Sequence, residues 1–312
     1  MAKSLTSHRP GLAVALKVVA VFWFIVMSAL IKATSDEVPP GEAVFFRSFF
    51  AIPVILAWLA MRGELRNGLI SRNPMGHFWR GLLGTAGMGL TFAGLGLLPL
   101  PEVTAVGYAT PIFTVILAAL MLGERIRIVR ITAVFLGLVG VLIMLWPRLG
   151  RGASMDDAAT LGAVLILFAT MARALVQIHI RKLVQTEHTA AIVFYFSATA
   201  SIISLLTMPF GWVVPSLNTI ALLALAGVLG GMAQIFVTSS YRFGAASMLA
   251  PVDYVSMLFA ILIGYVWFDE LPTGVMLIGA ALVIAGNILV IWREHHLGLE
   301  RGRARSVSDP KS

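Results

Sequence analysis

The chain has 312 residues, of which 59% are hydrophobic and 12% charged, and Lys and Arg outnumber Asp and Glu by 23 to 15. Soluble domains run to roughly 45–50% apolar and about 25% charged residues, so a water-soluble core cannot absorb this much apolar surface and the surplus belongs against lipid. Cysteine is absent, which excludes disulfides and thiolate metal sites.

A helix needs about 20 apolar residues to cross the hydrocarbon layer. Such runs fall at 11–33, 42–61, 78–98, 102–122, 129–147, 158–180, 189–209, 218–238, 245–268 and 273–292. The first is too long for the apolar stretch of a signal peptide and reads as an uncleaved helix. Prolines at Pro39–Pro40, Pro99, Pro101, Pro147, Pro209 and Pro272 mark the joints, because proline lacks an N–H and clashes with the preceding turn. The segment from Met61 to His77 is expected as a solvated loop, and the polar tail 293–312 as disordered. The expected plan is a cytoplasmic N-terminus (1–10), a five-helix repeat (11–147), a connector (148–157), a second five-helix repeat (158–292) and the tail.

The connectors are charged unequally. One side holds seventeen Lys and Arg, among them Arg62, Arg66, Arg72, Arg80, Arg125, Arg127, Arg130, Arg181 and Arg242, and the other only Arg148 and Arg151. The positive-inside rule then places both termini in the cytoplasm. The poorly basic side carries Asp36, Glu37, Glu102, Asp156, Asp157, Asp269 and Glu270. The basic residues therefore orient the chain, and nucleic acid is not an expected partner.

The fourth span ends in Leu-Gly-Glu-Arg (122–125) and the ninth in Phe-Asp-Glu-Leu (268–271), and each is followed by a span with a glycine ladder, Gly137 and Gly140 in one and Gly279 and Gly286 in the other. Five spans per half is an odd number, so the second half must be inserted upside down. The charges agree, since Glu124 precedes three arginines and Glu270 none. Inverted repeats suit secondary carriers, whose halves exchange conformations around a site between them. EAVFFRSFFAIP, LPLPEVTAVGYATPIFTVILAALMLGER, and AQIFVTSSYRFGAASMLAPVDYVSMLFAILIGYVWFDELP followed by LIGAALVIAG resemble the ten-span drug/metabolite transporter superfamily with two tandem EamA domains. The third stretch looks most like a branch that includes riboflavin importers. Carriers of S-adenosylmethionine, amino acids and metallophores look similar.

A charge at the bilayer centre costs at least ~2.5–3.5 kcal/mol, so each needs a reason. Asp253 lies roughly 13 Å into span nine at 1.5 Å per residue, too deep for its short side chain to reach water. It is expected to face a buried cation or the substrate. Arg173 and Gln177 share one face of span six at i, i+4, where Arg173 can pair with Asp253 or snorkel. Lys17 and Lys32 read as orienting residues whose stems reach the interface, and Arg47 as snorkelling to Glu42 or its neighbouring acids. In this family an arginine usually stands where Arg47 does. Gln234, Asn287, Thr104 and Thr110 are neutral polar groups that can bind substrate or join helices. Trp23, Tyr108, Tyr254 and Met257 are candidate cavity walls, and Pro111 and Pro251 candidate hinges. The candidate binding set is thus Trp23, Tyr108, Arg173, Gln177, Gln234, Asp253 and Tyr254.

There is no P-loop, no His-Glu-x-x-His and no Gly-x-Ser-x-Gly. His179 and His188 lack acidic or histidine partners at ligand spacing, and His295 and His296 read as tail residues rather than ligands. No metal or cofactor is expected, and no catalytic residue. An intramembrane enzyme needs a His, Asp or Glu cluster near one interface, and a pore needs a filter repeated by symmetry. Neither pattern is present. The expectation is an all-α inner-membrane carrier, monomeric or homodimeric, with flavin uptake first and transport of amino acids, S-adenosylmethionine or a metallophore second.

Overall fold

A computed structural model describes residues 9–65, 67–110, 112–114, 116–117, 128–149, 157–244, 249–286 and 288–289. Pro111, Glu124, Asn287, His295, His296, the first eight residues and the tail 293–312 lie outside these. The helices are α1 (Pro10–Ala33), α2 (Pro40–Met61), α3 (Pro74–Leu95), α4 (Leu100–Gly107), α5 (Ile128–Leu149), α6 (Asp157–Thr186), α7 (Thr189–Leu205), α8 (Leu217–Phe243), α9 (Val255–Phe268) and α10 (Gly274–Gly286). Among the described residues, α1, α2, α6 and α8 are long and apolar enough to cross a membrane on length and composition, and α7, α9 and α10 are shorter apolar helices.

Local chemistry sets the starts. Pro10, Pro40 and Pro74 occupy the first turns of α1, α2 and α3, where a missing N–H costs no helical bond. Asn73 caps α3 by accepting from Gly76 N at 2.9 Å, and Ser216 caps α8 by accepting from Thr219 N. Span four breaks after Gly107, turning at Tyr108 and Ala109. Within span nine, Ala250–Tyr254 form a 3₁₀ turn directly before α9.

The pairing of helices is the same after the halves are exchanged. Matching α1 to α6, α2 to α7, α3 to α8 and α4 to α9 turns the extensive α1–α8 interface into the equally prominent α3–α6 interface. The same exchange turns α2–α8 into α3–α7 and α1–α9 into α4–α6, while α2–α7 and α4–α9 map onto themselves. Contacts give the directions. Arg9 N donates to Phe243 O, so the start of α1 meets the end of α8. At the start of α6, Gly162 abuts Leu97 and Leu98 beyond the end of α3. The α2–α3 and α6–α7 connections share the face where α1 begins, as Arg72 N donates to Glu187. Helix α6 begins on the opposite face, so the second half runs inverted. The two faces are called here the arginine-rich and the acidic face.

Side chains with little exposure, such as Ile31, Leu95, Val106, Ile166 and Leu223, form a central apolar cluster. Large apolar side chains remain outside, including Phe135 and Trp146 on α5 and Leu258 and Leu262 on α9, as a surface against hydrocarbon requires. The two glycine ladders meet. A Cβ on Gly140 would lie 2.6 Å from the Gly279 carbonyl oxygen, and one on Gly279 would lie 2.5 Å from that of Gly140. Backbones touch there because neither residue has a side chain.

Candidate substrate site

Asp253 is carried by the 3₁₀ turn Ala250–Tyr254 that leads into α9, facing α1. Its Oδ1 lies 2.8 Å from Lys17 Nζ. Lys17 is therefore not an interfacial snorkeller. It is 4% exposed, and its Nζ also lies 3.4 Å from Tyr241 Oη and 5.1 Å from the Tyr241 ring centre. A lysine with this little exposure inside a bundle must meet an opposite charge, and the tyrosine face adds a cation–π contact. The Asp253 side chain keeps 39% exposure while Lys17 is sealed. One partner is locked and the other remains reachable.

Tyr108 stands where α4 turns. Its hydroxyl lies 2.9 Å from Ser256 Oγ and donates to Tyr254 O at 3.3 Å, while Ser256 Oγ donates to Asp253 O. The Tyr108 and Tyr254 rings meet edge-on, with centres 5.2 Å apart. The turn that presents Asp253 is thus tied to the break in span four, so both discontinuous spans are joined at the same place. From α6, Arg173 Nη2 donates to Thr91 Oγ1 at 3.3 Å. Its Nη1 lies over Gly107, where a Cβ would come within 3.1 Å, and its charge is within electrostatic reach of Asp253.

Of the seven candidates, the structure brings Asp253, Tyr254, Tyr108 and Arg173 together. Trp23 and Tyr254 both pack on the central apolar cluster, which includes Tyr108 and Met257, and Trp23 is 5.1 Å from the Phe22 ring. Gln177 is half-buried one turn beyond Arg173. Gln234 belongs elsewhere, accepting from Arg80 Nη2 at 3.5 Å. Thr104 and Thr110 bond back to the carbonyls of Leu100 and Gly107 within their own span.

Other charges also depart from expectation. Arg47 does not reach Glu42. It is 1% exposed and donates to Gly230 O at 3.1 Å. Helix α3 begins at Pro74, so His77 and Arg80 lie inside the helix and are buried, rather than in the preceding loop. Lys32 ends at Glu270, 3.0 Å away, and at the carbonyls of Leu95 and Leu98. Sequence reasoning missed Lys17 as a site residue. The available signal was a lysine deep in an apolar run, the same signal that singled out Asp253. Among the described residues no group of three or more His, Asp or Glu is placed to hold a metal ion.

This arrangement gathers Asp253, its partner Lys17 and the nearby Arg173 beside Tyr108 and Tyr254, where span four turns. Comparisons with known proteins agree on the class. The pseudopaline exporter CntI of Pseudomonas aeruginosa is 32% identical over 281 residues, covering 89% of this chain and 93% of that protein. The S-adenosylmethionine uptake transporter of Rickettsia prowazekii is 29% identical, covering 81% and 83%. The riboflavin transporter of Rhizobium johnstonii is 27% identical, covering 82% of each. A solved crystal structure at 21% identity superposes with a TM-score of 0.64 over 91% of this chain and 98% of that one, a likeness of fold. The sequence model of the EamA-like transporter family matches twice, over residues 11–146 and 160–292, once in each half defined by the exchange of helix partners. The chain is a two-repeat membrane protein that belongs to the EamA-like transporter family.

Proposed function

We propose that this transporter carries a small zwitterionic, amino-acid-like metabolite across the cytoplasmic membrane by alternating access, with the arginine-rich face in the cytoplasm. The observation that supports this reading is the unequal Lys17–Asp253 pair, sealed on the lysine and reachable on the acid, with Arg173 over Gly107, next to Tyr108. An incoming ammonium group finds Asp253, and a carboxylate finds Arg173 or the lysine that Asp253 releases. S-adenosylmethionine, the cargo in the name of one relative, has an α-amino acid end of this kind. Binding then exchanges one ion pair within the protein for two with the ligand, and because a zwitterion is neutral overall the site carries the same net charge loaded and empty. The role is carriage and not catalysis.

Riboflavin is the second reading, favoured by a relative named as its transporter and by the aromatic groups Trp23, Tyr108 and Tyr254. A neutral ring and polyol make no use of the charges. Proteoliposomes holding the purified chain, offered labelled S-adenosylmethionine or labelled riboflavin, separate the two. Asp253→Asn is expected to lower transport of the zwitterion at least tenfold, the equivalent of about 1.4 kcal/mol in binding. Because it strips Lys17 of its counter-charge, the double variant Lys17→Gln/Asp253→Asn, which leaves no unpaired lysine, is measured beside it. Saturable riboflavin uptake indifferent to Asp253→Asn would remove the zwitterion reading.

A further inference from the structure

The largest unbalanced charge among the described residues lies outside the Asp253 site. Arg47 stands seven residues into α2 and Arg80 six residues into α3, two antiparallel helices. At 1.5 Å per residue each is about 10 Å deep, one from each face. They are 1% and 3% exposed. Both guanidinium groups lie against the Phe196 ring of α7, Arg80 at 4.0 Å and Arg47 at 5.6 Å from its centre. Their protein hydrogen bonds are sparse. Arg47 has the Gly230 carbonyl through Nη2, and Arg80 has a long contact from Nη2 to Gln234. The Nε and Nη1 of both residues are buried with no hydrogen-bond partner. Each charge also opposes the other. The ion pairs among the described residues are Lys17–Asp253, Lys32–Glu270 and His77–Glu187, so no described carboxylate neutralises either arginine.

An arginine cannot lose its proton to escape this situation. A ring face and one carbonyl offset only part of the cost of taking a guanidinium out of water. Yet the bundle makes room for both groups. A Cβ on Gly84 would fall 2.2 Å from Arg80 Nη1 and 2.7 Å from the Phe196 ring. One on Gly230 would fall 2.7 Å from Arg47 Nε. Two cations, four unused donor nitrogens and glycines that clear space for them describe a site lacking its counter-charge.

We propose that Arg47 and Arg80, with Gln234 and the ring of Phe196, form a buried binding site for one small monovalent anion, a carboxylate group or a halide. The anion turns the unused N–H groups into charge-assisted hydrogen bonds and joins α2 and α3 of one half to α7 and α8 of the other. This site is independent of the cargo assigned to Asp253.

The test uses the full-length chain purified in detergent, at constant sodium and ionic strength, with a bulky sulfonate replaced stepwise by chloride or by acetate. The melting temperature of the wild type is expected to rise saturably with at least one of them. Arg47→Gln and Arg80→Gln should shift half-saturation upward about tenfold or more, the loss of a charge-assisted bond. Arg62→Gln, which removes an exposed arginine stacked on Trp58, should leave it unchanged. Without the anion, Arg80→Gln should melt above the wild type, since it removes a buried cation that has no counter-charge. At saturating anion the order should reverse. A response to acetate alone identifies a carboxylate, such as the end of an organic cargo. A response to both identifies an inorganic occupant. If a Gln variant does not fold, Arg80→Lys tests the same point, because it keeps the charge and loses the fork, and should weaken half-saturation. No saturable response in the wild type, or half-saturation unchanged in Arg80→Gln and Arg80→Lys, overturns the proposal.

Discussion

The two faces of the bundle are closed by the same device, built with different security. On the acidic face, carboxylates around the start of α2 capture the backbone ahead of α8. Glu42 accepts from Val213 N at 3.0 Å, and Glu37 accepts from Ser216 N and from the Thr219 hydroxyl. On the arginine-rich face, a carboxylate just before α7 captures the backbone ahead of α3, with Glu187 accepting from Arg72 N at 2.8 Å. These positions exchange when the halves are exchanged, so the clasps are related by the inverted repeat. The acidic face divides the work between exposed Glu37 and buried Glu42, and adds the Lys32–Glu270 bridge. The arginine-rich face concentrates it on one acid. Glu187 is 1% exposed, faces His77 at 3.4 Å, and receives Arg242 on its own backbone carbonyl. Alternating access needs each closure to be broken in turn. One is built to yield in steps and the other all at once.

The comparison breaks most readily at Glu187. Glu187→Ala leaves the Arg72 N–H without its acceptor and the His77 ring without its neighbouring carboxylate, and is expected to cost about 3 kcal/mol, the scale of removing one partner from a buried pair. Amide exchange over 69–77 should accelerate sharply while residues 213–219 keep their protection. Equal acceleration at both ends would mean that the closures are not independent. A smaller effect is expected for Glu42→Gln, about 1 kcal/mol for one hydrogen bond. Its exchange change should be confined to the segment around Val213, because Glu37 still holds Ser216 and Thr219.

The smallest effect comes from acid. The hydroxyl of Thr219 and the backbone N–H of Ser216 hold the Glu37 carboxyl below the ordinary glutamate value. A lowered value means that its contribution is complete above about pH 4.3 and is lost as pH falls through the lower folded value. Trp212, whose indole N–H donates to Thr207 and whose ring lies 5.3 Å from Phe45, reports this end. The fluorescence difference between the wild type and Trp212→Phe should change below that pH, and should not change in Glu37→Gln.

Much of this molecule was readable without coordinates. The apolar runs locate the helices because lipid imposes one length and one composition on every span. The odd number of spans and the uneven arginines predict the inversion that the helix pairing shows. Other features depended on facts that a run of apolar residues does not carry. The span drawn at 102–122 turns at Tyr108, and Ala250–Tyr254 within the span drawn at 245–268 form a 3₁₀ turn, joined where the Tyr254 carbonyl accepts from the Tyr108 hydroxyl of a distant helix. Lys17 and Asp253 are 236 positions apart, and which face each turns inward is decided by packing. Arg80 counts among the orienting cations when it stands two residues inside a span drawn from 78, but α3 starts at Pro74 and carries it a further turn into the bundle. A few residues of boundary separate an orienting charge from a buried one. His77 was assigned to the loop for the same reason, so its partnership with Glu187 was out of view.

The crossing of Gly140 and Gly279 bears on how such a machine moves. Interlocked side chains act as gear teeth, and turning one helix past another forces every tooth through a new rotamer. At this crossing few teeth remain: Met144 seats over Gly279 and Val283 over Gly140, and beside them backbone approaches backbone. So close a contact fastens α5 to α10 at one point, much as a rivet fastens a pair of blades. Whatever swing opens one clasp and shuts the other has at that crossing a point that need not travel.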